Sequence, residues 1–166
     1  QLHTKPKLVV TDTMNYWMDN YLSDLHIVVS KTDVLIINDE EALQLSSSNN
    51  LIDAAAKIQT MGPKFVIIKK GEFGASLFSN NQSFNCPAFN SLKCLDPTGA
   101  GDTFAGAFIG YLNHTNNISF NNMKKGVIRA CAMASFCVEN FGVQNIINQA
   151  PENIKERVTF LEKNNL

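Results

Sequence analysis

Arginine is nearly absent from this chain of 166 residues: only Arg129 and Arg157 occur, and the formal net charge is -1. The lysines are scattered without a basic stripe, so no nucleic-acid partner is expected. No apolar run approaches the roughly 18 residues of a membrane span, and no signal-peptide pattern is present. A cytoplasmic protein with no membrane partner is the expectation. The four cysteines, Cys86, Cys94, Cys131 and Cys137, form no C-x-x-C pair, and no histidine stands at metal-ligand spacing from them. That excludes a zinc-finger framework and leaves reduced, half-buried thiols. His3, His26 and His114 read as solvated or packed side chains. Glycine is sparse in the first third: none precedes Gly62, and no Gly-Gly pair occurs anywhere.

What is present is an ordinary globular balance, 45% hydrophobic and 17% charged, enough for one domain with one core. Apolar runs at Leu8–Thr11, Val34–Ile37 and Phe65–Ile68 stop at Asp12, Asn38 and Lys69-Lys70-Gly71. Runs that are apolar on both faces predict buried strands of a parallel sheet. A mixed stretch covers Tyr16–Val29. Asp39–Leu45 reads as helical, and Leu51–Met61 is an amphipathic helix that Gly62-Pro63 ends. Ala75–Ser79 and Ser83–Cys86 predict a hairpin around Asn80-Asn81. Helices are expected over Ala100–Leu112, Phe120–Asn140 and Pro151–Lys163. The alternation predicts an α/β fold with right-handed crossovers. Ligands of open α/β sheets bind outside the carboxyl ends of the strands, so Asp12, Asn38 and the Lys69–Gly71 segment should gather on one edge.

The segment from Asp96 through Phe108, D-P-T-G-A-G-D-T-F-A-G-A-F, carries the chemistry. Gly99 and Gly101 allow a tight turn that bares backbone N–H groups. A long helix starts directly after them. The unpaired N–H groups of its first turn and its macrodipole make an anion site. A carboxylate at Asp102 is odd for a pure anion site. It makes sense as a general base that takes a proton from a hydroxyl attacking a bound phosphate. The bland alternative is a glycine turn with Asp102 complementing the helix dipole. No P-loop string occurs, and a dinucleotide fingerprint starting at Gly99 would need glycine where Phe104 stands.

This segment resembles the second signature motif of the ribokinase, or phosphofructokinase B (PfkB), family of carbohydrate kinases, and the resemblance extends from the strand ending at Asp12 to Gly142. It implies a ribokinase-like three-layer α/β/α sandwich with a mostly parallel sheet. It implies ATP-dependent phosphorylation of a sugar hydroxyl, with Mg2+ as cofactor. By the same resemblance Gly99, Ala100, Gly101 and Asp102 form the anion hole and Asp102 is the base. Asp96 and Thr98 match positions that help bind a monovalent cation, K+, in ribokinases, although Pro97 departs from the usual Thr. Asn38-Asp39-Glu40-Glu41 is similar to the family's N-x-x-E motif, in which the Glu organises Mg2+ through water and the Asn lies near the nucleotide phosphates. Asn38 with Glu41 is equally a plain capping box, and both can hold. Gly71 and Gly74, in Lys70-Gly71-Glu72-Phe73-Gly74, match the glycine turn beside the nucleotide, where a hairpin turn is the alternative. Asp12-Thr13-Met14-Asn15 sits where members carry D-x-N on the sugar and phosphate side. Ala130–Ser135 falls where the adenine pocket forms in relatives, and core packing explains it as well.

Family members are about twice this length. Their first half holds the glycine-pair motif, most sugar contacts and a β-strand lid. The chain opens with Gln1 and runs almost at once into a strand, so residues 1–166 are expected to be the C-terminal, nucleotide-binding part of such a domain. A homodimer through the lid is then expected to depend on the missing part. The isolated chain is expected to bind nucleotide and to turn over poorly. A nucleoside or other small-alcohol kinase of the same fold, and a non-catalytic nucleotide-binding fragment, remain the alternatives.

Overall fold

The computed structural model describes residues 6–90 and 94–164. In chain order the elements are β1 (Val10–Asp12), α1 (Asn15–Asn20), α2 (Leu22–Val29), β2 (Val34–Asn38), α3 (Asp39–Ser46), α4 (Leu51–Met61) and β3 (Phe65–Lys69). A single 3-10 turn (Gly71–Phe73) leads to β4 (Ala75–Ser79) and β5 (Gln82–Cys86). Four helices follow, α5 (Ala100–Thr115), α6 (Phe120–Cys137), the short α7 (Gln144–Ile147) and α8 (Pro151–Lys163). The five strands form one sheet in chain order.

The chain divides into two compact units. The first comprises residues 1–69 and 76–83, the second residues 70–75 and 84–166. In the first unit β1, β2 and β3 are parallel, with Val10 opposite Val34 and Val34 opposite Phe65. Parallel neighbours need crossover connections, and the helix pairs α1–α2 and α3–α4 supply them. Val34, Leu35, Ile36, Ile37, Val66, Ile67 and Ile68 are fully buried, as expected for strands apolar on both faces. Leu35, Ile37, Val66 and Ile68 pack with Leu25, Val29, Ala42, Ala54, Ala55 and Ile58 into the core. Asn50 caps α4 by accepting from the Asp53 N–H at 2.9 Å.

The expected boundaries shift in places for local reasons. The first strand was expected over Leu8–Thr11 and forms over Val10–Asp12, because the Val9 N–H is taken by the Asp33 carboxylate at 2.9 Å rather than by the ladder. The mixed stretch after it becomes two helices that break at Tyr21. The helix expected to stop at Leu112 runs on to Thr115, where Asn116 turns left-handed at φ 49°. The following helix ends at Cys137 rather than Asn140, and the short α7 was not foreseen.

In the second unit α6 packs on α5, with Gly126 set against the rings of Phe108 and Tyr111. Helix α8 is tied to α6 through Arg157, which pairs with Glu139 at 2.7 Å, donates to Ser135 Oγ at 2.6 Å and stacks on Phe136. Of the four cysteines, Cys86, Cys131 and Cys137 are buried and Cys94 is exposed. A hydrogen bond with Cys86, together with burial, holds the Cys131 thiol well above its ordinary range, so it is an inert packing group.

Gly74 has a φ of 86°, and a β-carbon there would overlap the Cys86 carbonyl oxygen. Gly71 is also left-handed, at 55°, but nothing lies within 4 Å of its would-be β-carbon. Gly74→Ala should therefore lower stability by more than Gly71→Ala, which carries only the left-handed penalty of ~1–2 kcal/mol. Urea denaturation of both variants checks the order, and equal losses would contradict the close approach at Gly74.

Candidate active site

The first unit gathers three strand endings on one edge. Asp12, Asn38 and Lys69 close β1, β2 and β3, and Asn38 lies opposite Lys69 in the ladder. Lys69 Nζ is 3.0 Å from both Asp12 oxygens, so its side chain reaches past the end of β2. Asn38 is also the N-cap of α3. Its Oδ1 accepts from the Glu41 N–H at 2.7 Å, and Glu41 Oε2 accepts from the Asn38 N–H at 3.2 Å. The capping box is thus real.

Glu41 is only 4% exposed. Burial raises its carboxyl above the ordinary value, opposed by the Asn38 N–H and by the Lys69 charge. Oε2 is engaged in the cap, while Oε1 has no hydrogen bond among the described residues. No group of three or more His, Cys, Asp or Glu side chains that could hold a metal occurs among the described residues. The single Glu41 carboxylate is compatible with Mg2+, which keeps several waters and takes one or two carboxylates plus phosphate oxygens. Glu41 Oε1 would be the acceptor for such a water.

In the second unit Gly99 is the N-cap of α5, with a φ of 80° and no side chain to cap the helix. The Ala100 N–H bonds Pro97 O at 3.1 Å and the Thr103 N–H bonds Gly99 O at 2.9 Å. The N–H groups of Gly101 and Asp102 find no acceptor among the described residues. Asp102, the third helical residue, is exposed, and its carboxylate has no partner among the described residues. The turn is seated on the end of α6: Leu95 N–H and Asp96 N–H donate to Val138 O, at 2.7 and 3.3 Å, and Cys137 Sγ donates to Thr98 O at 3.5 Å. Asp96 Oδ1 accepts from the Thr98 N–H at 3.0 Å. The Thr98 side chain and backbone together hold the Asp96 carboxyl below its ordinary range.

Gly71 and Gly74 bracket the 3-10 turn of the second unit, closed by the Lys70 N–H to Gly74 O bond at 2.7 Å. Gly74 has a packing reason to be glycine, whereas Gly71 faces open space, as a ligand contact requires. Ala130, Cys131, Ala132 and Ser135 are buried core, with the Ser135 hydroxyl bonded to Ala132 O and Arg157. His3 lies outside the described residues. Sequence reasoning missed the Asp12–Lys69 pair. The two residues lie 57 positions apart, and only the strand register joins them.

The pattern of the pfkB family carbohydrate kinases matches residues 3–150, and the chain belongs to that family. A cytidine kinase of Thermococcus kodakarensis is 31% identical over 109 residues, 63% of this chain and 39% of that protein. A ribokinase of Staphylococcus aureus is 28% identical over 122 residues, 70% of this chain and 38% of that protein. A solved Ribokinase II of E. coli in complex with ATP and Mg2+ is 27% identical, with a TM-score of 0.74 over 94% of this chain and 48% of that one. The fold is therefore α/β and ribokinase-like. The chain spans less than two fifths of the length of these curated relatives and about half of the solved one.

Glu41 offers a test of the first unit. Its folded-state carboxyl titrates above 4.5. Between 4.5 and that higher value the folded chain keeps a proton that the unfolded chain has released. Its contribution to stability is fully present below 4.5 and is lost as pH rises through the folded-state value. Glu41→Gln keeps an oxygen for the Asn38 N–H and removes the charge. Its stability relative to the native chain should rise from acid to neutral pH in urea denaturation. A difference independent of pH would contradict the buried carboxylate.

Proposed function

We propose that this chain is the nucleotide-binding, C-terminal part of an ATP-dependent kinase that phosphorylates a sugar hydroxyl, acting on a small molecule in the cytoplasm. The observation that carries the reading is the start of α5, where two N–H groups with no acceptor and an exposed carboxylate with no partner among the described residues stand side by side. Membership of a carbohydrate kinase family supports it.

In this reading Asp102 accepts the proton of the acceptor hydroxyl as its oxygen forms a bond to the γ-phosphorus. The bond from that phosphorus to the β,γ-bridging oxygen breaks, and ADP leaves with the electron pair. The turn from Gly99 to Asp102, with its free N–H groups, stabilises charge on the transferring group. Because the donors are backbone groups fixed by the helix, little reorganisation is needed at the moment of transfer. Asn38 and Gly71 contact the nucleotide, and the Gly74 backbone shapes that turn. Glu41 would help hold Mg2+ through water, and the ion would supply neutralisation of phosphate charge. Asp96 and Thr98 are the candidates for a K+ contact.

A nucleoside acceptor is the second reading, and the cytidine kinase relative favours it. Both readings use the same base. A panel of sugars and nucleosides in a coupled assay separates them.

In the enzyme with its acceptor side complete, Asp102→Ala should lower kcat by at least ~10². Affinity for ADP–Mg2+, measured by calorimetry, should change little. Near-native turnover in this variant would remove Asp102 from the role of base.

A further inference from the structure

The polar edge of the first unit holds more than the cap of α3. Lys69 ends β3 and pairs with both oxygens of Asp12 at 3.0 Å, with side chains 20% and 28% exposed. Exposed or partly exposed ion pairs of this kind contribute only ~0–1 kcal/mol, so folding alone gives weak reason for two opposite charges on this edge. Lys69 also lies opposite Asn38 in the parallel ladder. Paired residues on adjacent strands project to the same face, which puts the lysine and the N-cap asparagine on one side of the sheet. The ammonium has three donors, and a carboxylate is readily exchanged for another oxyanion of equal or greater charge.

A second observation points to a missing polar partner. Thr13 follows Asp12, and its N–H donates to Asp12 Oδ1 at 3.0 Å. Its hydroxyl Oγ1 is buried and is the one buried side-chain polar atom without a hydrogen bond among the described residues. Buried hydroxyls in folded proteins nearly always find a partner. An orphan at the carboxyl edge of parallel strands, where ligands bind, is consistent with a partner that arrives with the ligand.

We propose that Lys69 is a phosphate-binding residue, held by Asp12 in the empty protein and transferred to a polyphosphate oxygen on binding. The inference rests on reading this edge as the phosphate side of a nucleotide site. Asp12 then acts as a competitor: it keeps Lys69 at the edge and weakens the bound anion by its own charge. No bond to carbon or phosphorus is made or broken in the exchange. One ion pair is traded for another, and the Asp12 carboxylate returns to water.

Calorimetric titration of the full 166-residue chain tests this with three probes, ADP–Mg2+, tripolyphosphate–Mg2+ and adenosine. Lys69→Met should weaken both anions about tenfold, the usual loss for one charge-assisted hydrogen bond, and leave adenosine unchanged. Lys69→Arg should keep most of the affinity. Asp12→Asn should tighten both anions, because the competitor is gone. Far-UV circular dichroism and unfolding midpoints establish that the variants fold. Should Lys69→Met fail to fold, Asp12→Asn carries the test alone. Unchanged anion affinity in Lys69→Met would overturn the proposal, as would weakened affinity in Asp12→Asn, since an intact pair would then be what the site needs. The nucleotide reading fails separately if the native chain binds tripolyphosphate as tightly as ADP and ignores adenosine, while Lys69 still governs the anions. A native chain that binds neither anion overturns both.

Discussion

The left-handed backbone at Gly99 is the constraint on which the open start of α5 depends. At φ 80° and ψ 1° the chain enters α5 with no side-chain cap, and the N–H groups of Gly101 and Asp102 have no acceptor among the described residues. Any residue with a β-carbon would pay for that conformation in strain. The turn cannot relax toward a capped entry, because Val138 O holds Leu95 and Asp96 and Cys137 Sγ holds Thr98 O. A rigid pair of donors facing outward is what a developing phosphoryl charge requires, since preorganised dipoles need not reorient during transfer.

The first unit solves a different problem by the same use of element ends. A helix start needs a cap, and Asn38 with Glu41 supplies one. The cap buries a carboxylate at 4% exposure and consumes only one of its oxygens. Structural and functional readings of this motif are therefore compatible: Oε2 serves the helix, and Oε1 has no hydrogen bond among the described residues. The Lys69 charge lowers the cost of keeping that carboxylate ionised.

Much of this was legible in the sequence, for physical reasons. Strands apolar on both faces announce a buried parallel sheet, so the placement of Asp12, Asn38 and Lys69 on its carboxyl edge followed from the runs Leu8–Thr11, Val34–Ile37 and Phe65–Ile68. The bounds of helix α4 agree with its sequence because its apolar periodicity and Gly62 stop coincide. The start of α5 was legible because Gly99 and Gly101 open a long helix and the segment Asp96–Phe108 resembles the second PfkB motif. What escaped depends on distance in the chain. The Asp12–Lys69 pair, the Cys86–Cys131 contact and the seat of the Gly99 turn on Cys137 and Val138 join residues far apart in sequence. Gly74 looked like a nucleotide contact, and its pressure against Cys86 gave it a packing reason that local sequence does not carry.

The most direct measurement of the central claim is a titration of the 15N-labelled chain with ADP–Mg2+, followed amide by amide. If the start of α5 is the anion hole, the Gly101 and Asp102 amide signals move downfield and saturate together with that of Gly71. Saturable binding that leaves the Gly101 and Asp102 amides unmoved would contradict the account.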